Sequence, residues 1–336
     1  MASLQVLRAI AALLVVGFHL QAAMVSEGHP NSIWRVFQFG EAGVDLFFVL
    51  SGFIIYFASQ RQAGGDAWTF IKGRFLRVYP VFWAVLFAYV IVYFVGAKVL
   101  GDVSLSPDWM SVLRSALLIP YPGHVPIVAW TLSLEILFYG IFALTFFRGG
   151  TKMLLAGMSI WSICALSYTY GLSFRTPWLA FVLNSVVLEF FYGVILGVVF
   201  VHFGTRFWRI ALGVGLFLLT LNMTGIGHNW PVGREVTTGL PAMLIVYGLL
   251  GVKRRFPQWV LLLGDGSYVL YLVHLLVFLV VGKTYEIVTG TSPYLNIWSV
   301  ALLAVAAIVL SCAAHVLGER PYQKWYKSRL IRRRDI

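Results

Sequence analysis

Long apolar runs recur along almost the whole chain, and short polar segments that hold most of the charged residues separate them. Most of these runs approach the roughly 20 residues that a helix needs to cross a bilayer. The pattern therefore predicts an all-α, polytopic membrane protein with a single membrane-embedded domain, residues 1–336. The ten membrane-spanning helices that we predict are 4–24, 41–58, 78–97, 127–147, 152–170, 178–203, 207–225, 236–252, 264–282 and 295–317.

Composition agrees with this pattern, since 60% of the residues are hydrophobic and only 11% are charged. The mean hydropathy of +0.85 exceeds what a soluble core requires. The first apolar run has no cluster of basic residues before it and contains polar residues, so we predict a retained helix and not a cleaved signal peptide. Cys164 and Cys312 both lie in apolar runs and are predicted to be packing residues. No spacing of Cys and His suggests a metal site.

The net charge of +12 follows the predicted topology. Ten spans place both termini on one side, and the loops on that side hold 18 of the 25 Lys and Arg residues, against six on the other side. Cytoplasmic loops carry such an excess, so we predict that both termini are cytoplasmic and that the protein is a multi-pass protein of the bacterial inner membrane. The basic charge then reflects topology and attraction to membrane lipids, and not binding to nucleic acid.

Two ionisable residues at similar predicted depth are candidates for chemistry. His19 lies about 8 Å below the outer end of the first span, and Asp45 lies at a similar depth in the second. A lone Asp in the hydrocarbon region costs about 2.5–3.5 kcal/mol, so it should have a partner, and His19 is the nearest one. An Asp–His pair can act as a general base, because the carboxylate orients the imidazole. A structural hydrogen bond between helices is the alternative.

Further polar residues fall inside or beside the predicted spans. Glu135, about 12 Å deep by the same helical rise, either binds an acceptor or makes a structural bond. Arg8 lies about 16 Å below His19 on nearly the same helix face. Its side chain either lines the cytoplasmic end of a passage through the bundle or extends to the cytoplasmic interface of the membrane. The candidate residues that line the interior are Tyr139, Tyr271 and His274. Tyr271 and His274 share roughly one helix face, and His274 either lines the interior or is a buried histidine that donates to a neighbour.

A basic cluster follows the second span. Arg74 and Arg77 are three residues apart and would share a helical face, with Lys72 adding charge. Such a cluster could bind phosphates at the cytoplasmic side, or it could only anchor the protein by the positive-inside rule.

Five segments in order resemble the acyltransferase 3 family of integral membrane acyltransferases, most of all its stand-alone bacterial exopolysaccharide O-acetyltransferases. These segments are LRAIAALLVVGFH, which contains Arg8 and His19, then GVDLFFVLSGFI, RFLRVYP, WTLSLEILFY and SYVLYLVH.

The resemblance implies transfer of an acyl group, usually acetyl in this family, from cytoplasmic acyl-CoA to a hydroxyl of an extracytoplasmic or lipid-linked glycan. It implies His19 as the catalytic base, assisted by Asp45, with Glu135 in the same site. Acyl-CoA is then the co-substrate, and no metal is expected. The residues that would hold acyl-CoA are Arg8, Ser51, Lys72, Arg74 and Arg77. Intramembrane Arg, His, Asp and Glu would equally suit a transporter of a lipid-linked glycan or an acidic solute.

Overall fold

The structure is a computed structural model, and it describes residues 1–29, 32–61, 65–99, 101, 106, 108–171, 176–224 and 232–332. Every regular element in these ranges is helical, which agrees with the predicted all-α class. The helices are α1 Ala2–Ser26, α2 Ala42–Arg61, α3 Ala67–Val99, α4 Trp109–Ala116, α5 Trp130–Tyr170, α6 Pro177–Val182, α7 Leu188–Phe203, α8 Trp208–Met223, α9 Leu240–Leu250, α10 Gln258–Asp265, α11 Ser267–Thr289, α12 Ile297–Ala314 and α13 Arg320–Arg332. Short 3₁₀ segments precede several of them, and π-helical turns precede α9 and α13.

Seven helical segments of the described chain are long and apolar enough to cross a membrane. Two further apolar helices, Trp208–Met223 and Glu235–Leu250, are shorter. One of the seven segments contains α5, which is interrupted at Gly149 and Gly150, where the backbone leaves the helical region. The predicted total of ten spans and the cytoplasmic side of the termini remain predictions.

The interruption in α5 reverses the direction of the chain. A methyl group on Gly157 would lie 2.7 Å from the side chain of Thr145, although twelve residues of straight helix would separate them by about 18 Å. The two halves of α5 therefore fold back on each other. Gly150 has a φ of 62°, a conformation that glycine adopts without steric strain. The predicted boundary between helices 127–147 and 152–170 falls at this bend.

Two boundaries differ from the predictions. The third helix begins at Ala67 and not near residue 78, so Lys72, Arg74 and Arg77 lie on a helix and not in a loop. Residues 109–116, in a stretch expected to be a loop, form α4, whose first turn is capped by the side chain of Asp108. An Asp at this position satisfies free N–H groups at a helix start, and it stabilises a helix too short to span a membrane.

The centre of the bundle is the contact between α2 and α7. Gly52 of α2 faces Gly193 of α7, and a methyl group on either would lie 2.2 Å from a carbonyl oxygen of the opposite helix. Small residues let two helices in a membrane approach this closely, which gives dense packing without a hydrophobic driving force from water. Around this contact the buried side chains are mostly aliphatic and aromatic, as in Phe48, Phe53 and Phe190.

Helices α1 and α11 run side by side in the same direction, and this arrangement positions the site. Near their starts Gln5 donates a hydrogen bond of 2.7 Å to Asp265, the last residue of α10. Beyond their ends the hydroxyl of Ser292 donates to Glu27 over 3.1 Å. Contacts beyond both ends therefore hold the two helices side by side.

Candidate active site

An internal cavity lies among α1, α2, α3, α5 and α11 and contains about 860 Å³ of empty space, including its opening. The candidate residues from the sequence that line it are Arg8, Ser51, Arg74, Arg77, Glu135, Tyr139 and Tyr271. His19, Asp45, Lys72 and His274 are not part of its wall.

Three arginines give the cavity a positive wall. Arg8 comes from α1, while Arg74 and Arg77 lie three residues apart on α3 and so share a face. Within the described residues none of the three forms an ion pair with a carboxylate. Three positive groups that line a cavity without a direct ion pair favour an anionic ligand there, because such a ligand would offset the unfavourable burial of their charge.

Glu135 is the acidic residue of the same wall, and two hydroxyl groups hold its carboxylate. Ser51 of α2 donates to Oε1 over 2.9 Å, and Tyr139, one turn further along α5, donates to the same oxygen over 2.5 Å. The ring of Tyr139 also faces Arg74, whose guanidinium carbon lies 5.8 Å from the ring centre. Arg74 packs against Phe70 as well, at 5.3 Å. The carboxylate and one arginine are thus positioned through the same tyrosine.

His19 contacts a second histidine. Its Nδ1 lies 2.9 Å from the carbonyl oxygen of Val15, one turn earlier in α1, and 3.2 Å from Nε2 of His274 in α11. His274 is fully buried, and its Nδ1 lies 3.0 Å from the carbonyl oxygen of Leu270. The parallel course of α1 and α11 brings these two rings together although 255 residues separate them in sequence.

The hydrogen bonds fix which nitrogen of each ring carries the proton. A carbonyl oxygen only accepts, so Nδ1 of His274 must donate to Leu270, and its Nε2 is then the acceptor of a neutral ring. The same reasoning at Val15 places the proton of His19 on Nδ1, which also points toward Nε2 of His274. The lone pair of His19 is consequently on Nε2. This atom has no hydrogen-bond partner among the described residues, and the His19 side chain is only half-buried.

Tyr271 connects the histidine pair to the cavity. It lines the cavity, and its ring centre lies 6.3 Å from that of His274, one turn further along α11. Its hydroxyl is held by Thr131, at 2.9 Å, and by the carbonyl oxygen of Val128, at 3.2 Å. Tyr271 therefore contacts both the cavity and the histidine pair.

The predicted pairing of Asp45 with His19 is wrong. Asp45 is fully buried and accepts three hydrogen bonds from the guanidinium of Arg234, of 2.9 and 3.1 Å from Nε and 2.5 Å from an amino nitrogen. Arg234 also pairs with Glu41, at 3.0 Å. Burial lowers the pKa of Arg234, but the charge and hydrogen bonds of Asp45, together with the charge of Glu41 and of a further acid, outweigh burial and raise this pKa above its usual value.

The error lies in the predicted depth of α2. Gly43 faces Ala11 of α1, where a methyl group would lie 2.2 Å from the carbonyl oxygen. Counting along both helices from this contact places Asp45 about 15 Å below His19. From the sequence, Arg234 is one of the six cations on the predicted outer side. An arginine directly before an apolar run is the signal that could have identified it as the partner of a buried acid on a neighbouring helix.

Lys72 is half-buried and does not reach the cavity wall, unlike its neighbours Arg74 and Arg77.

One histidine to which the sequence assigned no role is also buried. Nε2 of His124 lies 3.1 Å from the carbonyl oxygen of Ile119 and 2.7 Å from the hydroxyl of Ser133, while its Nδ1 has no partner among the described residues. Burial lowers the pKa of His124, because a second proton would be placed on an enclosed nitrogen.

Comparison with known proteins assigns the chain to a family. The profile of acyltransferase 3, described as an acyltransferase domain, matches residues 1–316. The chain belongs to the acyltransferase 3 family. It is also 30% identical over 325 residues to the exopolysaccharide production protein ExoZ of Rhizobium meliloti (strain 1021), which covers 88% of this chain and 93% of that protein. No solved structure gives a significant match.

Family membership identifies the chain as a membrane acyltransferase and favours an enzyme over the transporter alternative. The five family-like segments lie on five helices, α1, α2, α3, α5 and α11. Each of these helices contributes to the cavity wall. Segments that are far apart in sequence therefore meet at one place, although His19, Asp45 and His274 of these segments lie outside the cavity wall.

Proposed function

We propose that this acyltransferase moves an acyl group, most simply acetyl, from cytoplasmic acyl-CoA across the membrane to a hydroxyl of an extracytoplasmic or lipid-linked glycan. His19 serves as the general base. The observation that carries the proposal is the position of the free Nε2 of His19, about 16 Å along α1 from an arginine of a cavity with an unpaired positive wall.

The donor end of the site is the wall formed by Arg8, Arg74 and Arg77. Coenzyme A carries several phosphate charges, and guanidinium groups bind phosphate oxygens through short charge-assisted hydrogen bonds. Under the predicted orientation this wall faces the cytoplasm, where acyl-CoA is available. The thin pantetheine arm then extends through the cavity past Tyr271 and presents the thioester near His19.

The acceptor end is the half-buried side of His19. The acceptor oxygen attacks the thioester carbonyl carbon, and its proton passes to Nε2 of His19. The C–S bond breaks, and the proton then moves from His19 to the sulfur of the leaving CoA. General-base assistance of this kind contributes about 10²–10⁴-fold to a rate, with positioning of the reactants supplying much of the rest. A route through an acyl-histidine intermediate would use the same nitrogen.

The class of acceptor rests on the relative. ExoZ is a protein of exopolysaccharide production, and the likeness extends over most of both chains. We therefore propose a polysaccharide or its lipid-linked precursor as the acceptor, and modification of exopolysaccharide as the role. The described outer segments carry exposed aromatic residues such as Trp109, whose ring could stack on a sugar or lie in the membrane interface.

The test uses purified protein in proteoliposomes with labelled acetyl-CoA and a glycan acceptor. His19→Gln should reduce kcat by at least about 10²-fold, because the amide is no base at neutral pH. His202→Gln is the matched control, since Nδ1 of His202 bonds the carbonyl oxygen one turn earlier in the same way but the side chain is exposed. Transfer by a folded His19→Gln protein at the wild-type rate would refute the proposed role of His19.

A further inference from the structure

We propose that His274 is the positioning residue of the base, and that it orients His19 through a neutral N–H···N hydrogen bond where a carboxylate was expected. This inference rests on the proposed function of His19. It follows from three features of the structure: the 3.2 Å contact between the rings, the complete burial of His274, and the hydrogen bond that fixes its own proton.

The first step is the direction of the bond. The Leu270 carbonyl holds the proton of His274 on Nδ1, so Nε2 offers a lone pair toward Nδ1 of His19. The carbonyl of Val15 and Nε2 of His274 thus both favour a proton on Nδ1 of His19, which leaves the free lone pair on Nε2. Which nitrogen of a histidine ring acts as the base is commonly determined by the hydrogen bond that the other nitrogen makes.

The second step concerns the reaction. When Nε2 of His19 accepts the proton of the acceptor hydroxyl, the ring becomes an imidazolium and its Nδ1–H becomes a stronger donor. Nε2 of His274 is already placed to accept that bond, so no group has to move. His274 gains and loses no proton during the cycle, because His19 returns its proton from Nε2 to the sulfur of CoA.

The third step is the surroundings of the pair. His274 also lies against two aromatic rings of its own helix, Phe278 at 5.6 Å and Tyr271 at 6.3 Å between ring centres. Phe18 meets His19 edge-on at 5.4 Å. Within the described residues no carboxylate hydrogen-bonds either histidine, and Asp45 is engaged by Arg234. His274 is therefore the side chain that holds the ring of His19.

The test compares two substitutions of His274. His274→Leu fills similar space without an acceptor, whereas His274→Gln can place its amide oxygen near the position of Nε2. We expect His274→Leu to lower kcat by roughly 10–100-fold, with an unchanged KM for acetyl-CoA because the arginine wall is untouched. His274→Gln should recover most of the loss. Phe278→Leu, a buried change one turn away on the same helix, should leave kcat near wild type and controls for repacking.

A readout that does not require turnover separates this inference from the proposed function. In protein labelled with ¹⁵N-histidine, a coupling between nitrogens across the hydrogen bond should connect the two rings in wild type and vanish in His274→Leu. Wild-type kcat in His274→Leu, or an equal loss in the Leu and Gln variants, would overturn the positioning role. If His19→Gln is inactive while His274→Leu is fully active, only the inference fails; if His19→Gln is fully active, the proposed function fails.

Discussion

Replacing Arg8 by methionine tests whether the positive wall binds the donor. The change removes a guanidinium from the cavity while keeping a long unbranched side chain on α1. A hydrogen bond to a charged group contributes about 2 kcal/mol, which corresponds to about a 30-fold change in Kd. We therefore expect the Kd of CoA to rise about 30-fold. The kcat should change little, because about 16 Å of helix separates Arg8 from His19.

The same change should affect stability in a characteristic way. Arg8 has no carboxylate partner in the described part of the chain, so its loss removes no ion pair there and should not lower the Tm of the unliganded protein. Ligand at 100 times the wild-type Kd stabilises the wild type by about 2.7 kcal/mol. At that concentration a variant that binds 30-fold more weakly gains only about 0.9 kcal/mol.

Thermal unfolding in detergent, with and without CoA, measures both effects in one experiment. Arg148→Met is the matched control, because Arg148 is exposed at the bend of α5 and lies away from the cavity wall. It should retain the full stabilisation by CoA. If Arg8→Met keeps the wild-type stabilisation by CoA and instead has a lower Tm without ligand, Arg8 is an interfacial anchor and the reasoning about the donor site is refuted.

Two further predictions concern the buried polar groups outside the cavity. Arg234→Leu should destabilise the protein by roughly 3 kcal/mol, because it leaves the carboxylate of Asp45 buried without its partner. The double variant Asp45→Leu/Arg234→Leu should recover much of the lost Tm. A double variant no more stable than Arg234→Leu would contradict this. The lowered pKa of His124 means that the folded state binds fewer protons at this ring than the unfolded state. The contribution of neutral His124 to the free energy of unfolding is therefore present above about pH 6.5 and is lost as the pH falls. The Tm of wild type should therefore decrease more on acidification than that of His124→Gln, and parallel curves would exclude His124 as the cause.

The sequence was sufficient for the helices and for much of the cavity, because both follow from local patterns. Apolar runs of sufficient length identified the long helices, and the spacing of Arg74 and Arg77 correctly placed them on one face. The pairing of Asp45 could not be predicted from depth, since depth depends on the path of the intervening segment. That segment packs Phe37 against Gly17, where a methyl group would lie 2.4 Å from the ring, so α2 begins below His19 and not level with it.

The partner of His19 could not be predicted from the sequence for a related reason. His274 was placed on a helix face with Tyr271, but nothing local indicates which of the other helices that face meets. The answer depends on the parallel packing of α1 and α11, which is fixed by contacts at their two ends, such as those of Gln5 and Glu27. Contacts between elements more than 250 residues apart come from the assembled bundle, and no pattern in either helix specifies them.

The distribution of charge along α1 has a consequence for how a donor would be oriented. Cationic groups line the cavity at the Arg8 end, whereas the contacts that the structure describes at His19 are with a neutral histidine, a backbone carbonyl and an aromatic ring. A polyanion gains favourable interactions only at the first end, and moving its phosphates toward His19 would leave them without counter-ions in a medium of low dielectric constant. The uncharged thioester has no such restriction. The charge pattern would therefore orient acyl-CoA with its phosphates at Arg8 and its acyl group toward His19. No carboxylate beside His19 is required for this orientation.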